Sequence, residues 1–244
     1  MAVASTIPAG WKGLPSFVLA EAGVSRGHDG EVLIPYRDAL GRLYVTRVVV
    51  KDGHRWWRPA GRAVIPFGLD RLADTSDRRF RCLLITEGES DALAAWAAFG
   101  HEGLDVLGVP GATTWRQEWT ELAEGYAAVY VAGDGDGVGR RFAWTVKRDL
   151  PGAVVLEIPE GLDVRDVIQR EGEEAFGVLL EQADAWERFE RAFFESQTFE
   201  ELERRLRGQT ANALIAPKSR VAGGSTRLPP ERVITGLQPA QRAA

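Results

Sequence analysis

From residue 81 onward, short apolar runs alternate with longer segments that carry apolar residues at helical spacing. The runs typical of strands are CLLIT, VLGVP, AVYVAGD and AVVLEIP, and the segments typical of helices are DALAAWAAFG, WRQEWTELAEGY, VGRRFAWTVKRDL and DVRDVIQREG. Strands joined by helices of this length are connected by right-handed crossovers, which make neighbouring strands parallel. The pattern therefore predicts an α/β fold over residues 81–172, with a central, mainly parallel sheet flanked by helices.

The preceding segment, residues 31–80, has a different pattern. Apolar and polar residues alternate over short β-branched runs, and DALGR and KDGH separate these runs as turns. Between Glu31 and Arg62 the sequence has seven basic residues and three acidic ones. We therefore predict a small, strand-rich basic subdomain, folded as an antiparallel meander, ahead of the parallel sheet.

The ends of the chain carry weaker signals. Residues 1–30 are punctuated by Gly and Pro and are predicted to be a lead-in. Residues 173–207 have helical spacing and charge pairs, which predicts a helical C-terminal segment. Residues 208–244 are rich in Pro, Gly and Arg without an apolar period, so a flexible tail is expected there.

Composition excludes several classes of protein. The net charge of −5 argues against a histone-like polycation. The chain starts without a signal-like segment and has no uninterrupted apolar run of membrane-spanning length, so we expect a cytoplasmic protein without membrane contact. With Cys82 as the only cysteine and three scattered histidines, a structural zinc site is not expected.

Three acidic residues directly follow two of the predicted strands. Glu87 comes after CLLIT, and Asp134 and Asp136 come after the strand-like run AVYVAG. Functional loops of a parallel sheet lie at the carboxyl ends of its strands, so the three carboxylates converge if the two strands are neighbours. Clustered carboxylates repel each other unless a cation compensates, and Mg²⁺ prefers oxygen ligands that it shares with substrate phosphates. A solvated turn and an ordinary acid before a helix remain the alternative interpretations.

The segment YVAGDGDGVGRR places four glycines around the two aspartates of this acidic motif. Gly133, Gly135 and Gly137 are expected to allow a sharp backbone turn and close approach of a phosphate. A calcium loop is excluded because Val138 and Thr145 occupy two of its ligand positions. Neither a G-x-G-x-x-G register nor a G-x-x-x-x-G-K-[ST] segment occurs, which argues against a dinucleotide fold and a P-loop motor.

The order of these motifs resembles a known family. LLITEGESDALAAWAAFG, VLGVPGATTW, VYVAGDGDGVGRRFAW and EIPEGLDVRDVIQREGEEAF together resemble the Toprim domain of DnaG-type primases of bacteria, phages and plasmids. The upstream VLIPYRDALGRLYVTRVVV and HRWWRPAGRAVIPFGLDRL are similar to the strand-rich basic subdomain of those primases. The resemblance covers roughly residues 30–183.

The resemblance implies roles for the acidic residues. Glu87 would be a metal ligand or would handle the proton of the attacking 3′-hydroxyl, while Asp134 and Asp136 would hold Mg²⁺ or Mn²⁺ against the incoming triphosphate. Asp91 and Asp163 would complete an outer metal site, and Asp166 lies in the same acidic block. A first-turn aspartate stabilised by the helix dipole is the alternative for Asp91, and a helix cap is the alternative for Asp163.

A second set of residues is expected to contact nucleotide or nucleic acid. Arg47 and Arg55 match basic positions of the family, with a solvated strand face as the alternative. Trp56 and Trp57 cannot both be buried in an alternating strand, so one is expected on the arginine side, where it stacks on a base or covers an apolar edge. The complete predicted set is Arg47, Arg55, Trp56, Arg58, Arg140 and Arg141.

The implied activity is a nucleotidyltransferase that uses nucleoside triphosphates to make short primers on single-stranded DNA. The zinc module and helicase motor of related primases are not visible in the sequence, so we expect a minimal core of phage or plasmid type that works with a separate helicase or replication protein. Three alternatives stay open: a Toprim nuclease that uses the same acids, a non-catalytic DNA-binding scaffold, and, with less support, a topoisomerase. A topoisomerase needs a cleaving tyrosine, and all four tyrosines fall in or beside predicted strands.

Overall fold

The N-terminal half of the protein contains an antiparallel sheet. The computed structural model describes residues 10–51 and 53–195, with side chains described up to residue 184. The first four strands are β1 (Ser25–Arg26), β2 (Val32–Arg37), β3 (Leu43–Val49) and β4 (Arg55–Arg58). Each pairs with the next in antiparallel orientation, in the order β1-β2-β3-β4. The predicted meander is confirmed.

The second sheet is parallel throughout. Its strands are β5 (Cys82–Thr86), β6 (Leu104–Gly108), β7 (Ala128–Ala132) and β8 (Val154–Val155). They lie in the order β6-β5-β7-β8, so the chain first adds β6 on one side of β5 and then β7 on the other. The predicted α/β architecture is confirmed, and the strand order reverses between β5 and β7.

Helices cover both faces of the parallel sheet. They are α1 (Ser16–Glu21), α2 (Glu89–Phe99), α3 (Gly137–Asp149), α4 (Val164–Asp166) and α5 (Glu173–Glu195). Two predicted helices differ from the expectation. The segment WRQEWTELAEGY forms only a 3₁₀-helix, because the residues at both of its ends are extended and leave about two turns between them. The segment DVRDVIQREG forms α4 and then continues as a short π-helical stretch.

The two faces of β5 contribute to two separate apolar clusters. Leu84 packs with Leu93 of α2 on one face, whereas Leu83 and Ile85 pack with Phe142 of α3 on the other. The first cluster also contains side chains from α1 and from β2, including Val18, Leu19, Ile34 and Tyr36. The antiparallel sheet and the expected lead-in therefore share a core with the parallel sheet.

Two sequence expectations concern the ends of the chain. Helix α5 occupies the first part of the predicted helical segment. The remainder of that segment and the expected tail, residues 196–244, lie outside the described residues. Within the residues that are described, no helix is long and apolar enough to cross a membrane.

Candidate functional site

The predicted carboxylates converge at one edge of the parallel sheet. Strands β5 and β7 are neighbours, with Thr86 paired to Ala132 at their carboxyl ends. Glu87 follows β5 by one residue and Asp134 follows β7 by two, so both loops leave the sheet at the same edge. This edge is also the point where the strand order reverses, which is the usual ligand position in open parallel sheets.

Asp136 is the N-cap residue of helix α3. Its Oδ1 accepts hydrogen bonds from the backbone N–H groups of Val138 and Gly139, both at 2.7 Å. These bonds lower the pKa of the exposed carboxyl group below its ordinary value. Because both cap bonds use Oδ1, the second oxygen stays available for another ligand.

The glycines of the acidic loop serve close packing. None of Gly133, Gly135 and Gly137 has a positive φ, but the expected sharp turn is present, since the Asp136 N–H donates to the carbonyl of Asp134 at 2.7 Å across Gly135. A Cβ at Gly133 would collide with the backbone of Gly139, and one at Gly135 would collide with the carbonyl of Pro159. The Gly135 N–H also donates to the carbonyl of Leu162 at 2.8 Å. The loop is therefore held tightly between α3 and the segment before α4.

Burial and neighbouring carboxylates disfavour the charged forms of Glu87 and Asp134. Glu87 Oε2 is buried without a hydrogen-bond partner. Burial, followed by the charge of Asp134, raises the pKa of Glu87 to about 7, although backbone hydrogen bonds oppose the shift. Burial, followed by the charges of Asp163 and Asp136, raises the pKa of Asp134 to about 6. Among the described residues, no cationic side chain forms an ion pair with Glu87, Asp134 or Asp136, and we refer to these three as the open carboxylates.

Asp163 and Asp166 form a second group, which we refer to as the paired carboxylates. Asp163 Oδ1 caps α4 by accepting the N–H of Asp166 at 2.6 Å, as the alternative interpretation of this residue expected. The Arg165 guanidinium lies 2.7 Å from Asp163 Oδ2 and 3.2 Å from Asp166 Oδ1. Arg170 also pairs with Asp166, at 3.2 Å. The outer acidic block therefore already contains a cation.

Asp91 is attached to the paired carboxylates through the backbone. It is buried, and its Oδ1 accepts the backbone N–H of Arg165 at 3.0 Å. Burial, followed by the charge of Asp163, raises the pKa of Asp91 well above its usual range. Sequence reasoning missed Arg165, and the available signal was its position between the two acids of the segment DVRD.

The open carboxylates fit a divalent cation in their chemistry. Their carboxylate oxygens are hard donors, and one of these oxygens is buried without a hydrogen-bond partner. A bound cation would stabilise the charged forms of Glu87 and Asp134, whose pKa values are raised. In the described part of the chain, however, no three acidic, histidine or cysteine side chains are close enough to form a ready-made metal cage. Metal binding would therefore require these carboxylates to rotate towards the ion.

Arg47 lies elsewhere than expected. It is 8% exposed, and its Nη1 contacts Glu89 Oε1 at 2.6 Å. The hydroxyl of Tyr36 donates to the same oxygen at 2.6 Å. The side chain is therefore not available on a surface, so this placement supports neither the expected phosphate contact nor the solvated alternative. It ties the antiparallel sheet to helix α2, and Glu89 is a second residue that sequence reasoning missed.

The tryptophans of β4 alternate as predicted. Trp56 is 41% exposed, whereas Trp57 packs against the core, edge-on to Tyr36 at 4.9 Å. The half-buried Trp57, rather than the exposed Trp56, lies beside Arg47, with 5.4 Å between the guanidinium carbon and the ring centroid. This corrects the expectation that the exposed tryptophan faces the arginine side of the strand.

The other four arginines of the predicted set are exposed, but they lie in two places. Arg55 and Arg58 are at the two ends of β4. Arg140 and Arg141 lie within the first five residues of α3, where their charges help to lower the pKa of Asp136. The structure thus brings Arg140 and Arg141 to the open carboxylates.

Comparisons with known proteins agree with this architecture. Residues 82–174 match the Toprim domain family. The Gene 57 protein of Mycobacterium phage D29 is 40% identical over 105 residues, which is 43% of this chain and 64% of that protein. The match therefore spans less than two thirds of the relative's length.

Solved structures match a larger part of the chain. The primase fragment of the bacteriophage T7 primase-helicase superposes with a TM-score of 0.58 at 18% identity, covering 72% of this chain and 74% of the fragment. A DnaG primase catalytic domain bound to single-stranded DNA gives 0.50 at 22% identity, covering 70% and 62%. Residues 82–174 are therefore similar to the Toprim domain, and the chain has the fold of these primase catalytic domains.

Proposed function

We propose that this protein is a primase-like nucleotidyltransferase that makes short primers on single-stranded DNA from nucleoside triphosphates. The observation that carries the proposal is the convergence of the open carboxylates, with the buried Glu87 Oε2 lacking a partner, at the edge where the strand order reverses. The T7 primase fragment and the DNA-bound DnaG domain share the fold, which supports a role in replication.

In this proposal the open carboxylates bind the metal ion and accept a proton. Mg²⁺ or Mn²⁺ bound there would offset the charge of the triphosphate and make a 3′-hydroxyl more acidic. Asp134 and the uncapped oxygen of Asp136 would hold the ion, and both residues lie on the packed glycine loop. Glu87 Oε2 accepts the proton of the attacking 3′-hydroxyl or completes the ligand set. The 3′-oxygen forms a bond to the α-phosphorus, and pyrophosphate leaves.

The paired carboxylates have a positioning role. Arg165 fixes Asp163 and Asp166, and its backbone N–H holds Asp91. Because α2 begins just after Glu87, this contact connects the Glu87 loop to the segment that packs on the Asp134 loop. We therefore assign metal binding to the open carboxylates and leave Asp91 and Asp163 as supports of the site.

The direct test is primer synthesis. The full chain is incubated with a defined single-stranded template, ribo- or deoxyribonucleoside triphosphates and Mg²⁺ or Mn²⁺, beside labelled DNA as a cutting control. We expect short products whose composition follows the template. Cleavage without synthesis would support the Toprim nuclease alternative, and DNA binding without either reaction would support a scaffold.

We extend the proposal to a partner. We propose that a separate helicase or another replication protein selects the start site and keeps this protein at the fork. The proposed docking element is the segment after Gly208 or the helical segment before it. The segment after Gly208 is rich in Pro and Arg and has few large apolar residues. A chain that ends at Gly208 should keep basal synthesis and lose stimulation by the cognate helicase. Loss of basal synthesis would contradict this assignment.

A further inference from the structure

The outer face of helix α3 carries a stripe of basic and aromatic side chains. Gly137, Arg140, Arg141, Trp144, Thr145 and Arg148 line one shallow depression. Their spacing of three and four residues places them on one face of the helix, along about 16 Å of its length. None of the six is acidic, so the stripe is a positively charged surface beside the open carboxylates.

Trp144 lies on the outer face of α3 and does not belong to the apolar core. The opposite face of α3 supplies Phe142 and Val146 to the core, whereas Trp144 is 59% exposed. Three other indoles of the described residues, those of Trp57, Trp96 and Trp119, lie beside a guanidinium. Arg71 lies 4.1 Å from the ring of Trp96, and Arg116 lies 5.9 Å from that of Trp119.

No arginine of the described residues covers the Trp144 ring in this way. The indole therefore presents a free aromatic face to solvent. Such a face has the shape and chemistry to stack on a planar ring, and a nucleic-acid base is the planar ring that a basic surface would bring to it.

The arginines beside Trp144 are similarly available. In the described part of the chain, Arg140 and Arg141 form no ion pair, and their charges act on Asp136. Arg148, at the far end of the stripe, is held by Asp149 at 3.1 Å and contributes less net charge. The free positive charge thus lies between Trp144 and the open carboxylates.

The stripe is continuous with the candidate active site. Asp134, Arg140 and Trp144 line one narrow cleft between α3 and the segment around β8, together with Glu157. Arg140 and Trp144 thus line both this cleft and the depression on the outer face of α3.

We propose that the outer face of α3 binds single-stranded nucleic acid, with Trp144 stacking on a base and Arg140 and Arg141 contacting phosphates. The inference deepens the proposed function, because it locates a path for the strand at the same site. A single strand fits better than a duplex, in which the base faces are already stacked on each other. An acidic protein would use the arginines but would leave the free indole face unexplained.

The test is binding without catalysis. The affinity of the full chain for a fluorescein-labelled oligothymidylate is measured without divalent metal or nucleotides, so the result is independent of primer synthesis. Trp144→Ala should weaken binding by about tenfold, and Trp144→Phe should keep most of the affinity. The matched control is Phe80→Ala. Phe80 is 73% exposed and lies beside Arg79, just before β5 and therefore at the opposite edge of the sheet.

The arginines are tested by salt dependence. Changing both Arg140 and Arg141 to Gln should make the slope of log affinity against log salt shallower by about 1.4. Unchanged oligothymidylate binding by Trp144→Ala with an unchanged unfolding midpoint would overturn the proposal. Equal losses for the single strand and for a duplex of the same length would also overturn it, because they would leave only a polyanion or acidic-protein surface. If Trp144→Ala unfolds, Trp144→Gln replaces it with the same expected loss.

Discussion

The open and the paired carboxylates lie at the same edge of one sheet, yet they differ in what neutralises them. Asp163 and Asp166 share the guanidinium of Arg165, whose side chain is 11% exposed. Glu87 and Asp134 have no such partner among the described residues, and their pKa values are raised to about 7 and about 6. The difference indicates that the fold completes one group itself and leaves the other to be completed by a cation from solution.

The largest expected effect comes from removing the internal cation. Arg165→Met should lower the free energy of unfolding by about 3 kcal/mol, because it leaves largely buried carboxylates without a partner. Denaturant unfolding measures the change. Arg170→Met is the matched control, since Arg170 pairs with the same Asp166 but is 62% exposed, and it should cost less than about 1 kcal/mol. Equal effects of the two variants would remove the distinction between the two groups.

Neutralising Asp134, an open carboxylate, should lower activity without lowering stability. Asp134→Asn should lower primer synthesis by at least about a hundredfold, because charge stabilisation of the reacting phosphates is lost. The same variant should fold as well as the parent protein or better, because it relieves like-charge repulsion. Activity and unfolding are measured on the same preparation. Full activity in this variant would move the catalytic site elsewhere.

The open carboxylates should make the stability of the protein depend on pH. For Glu87 and Asp134 the folded pKa lies above the unfolded value, so the folded state holds the extra protons. The free energy of unfolding of the metal-free protein should therefore fall as pH rises from about 4.5 to about 7. Unfolding in denaturant, measured across this range, should show a smaller fall in Glu87→Gln. If Glu87→Gln and the parent protein lose the same amount of stability over this pH range, the pKa of Glu87 is not raised in the folded protein.

The smallest expected effect separates the two roles of Asp136. Asp136→Asn should keep the cap of α3, whereas Asp136→Ala should lower the free energy of unfolding by about 1 kcal/mol. Both variants should lose primer synthesis, because neither keeps the carboxylate charge. If Asp136→Asn stays active, capping is the only function of this residue.

The sequence predicted the parts of the site that depend on chain order. The alternation of strands and helices placed Glu87 and the Asp134 loop at one sheet edge, and the pairing of β5 with β7 brought them together. The glycines were recognised, but the reason for them depends on how closely Gly133 approaches Gly139, and spacing does not report such distances.

Arginine placement could not be predicted in the same way. Arg47 lies in an alternating basic strand and would be exposed if the sheet were alone. Its burial depends on Glu89, which is 42 residues away and reaches it only because α2 packs on the antiparallel sheet. Arg165 likewise stands among acids in the sequence, but only the path of α4 shows that it satisfies them.

The open and the paired carboxylates should differ in whether they bind a divalent cation, and Mn²⁺ binding followed by electron paramagnetic resonance measures this directly. The titration is run on the parent protein, Asp134→Asn and Asp166→Asn, without nucleotide or DNA. We expect Asp134→Asn to lose the bound Mn²⁺, because an open carboxylate has been neutralised, and Asp166→Asn to keep it, because Arg165 already serves that group. Loss of Mn²⁺ from Asp166→Asn with retention in Asp134→Asn would contradict the account.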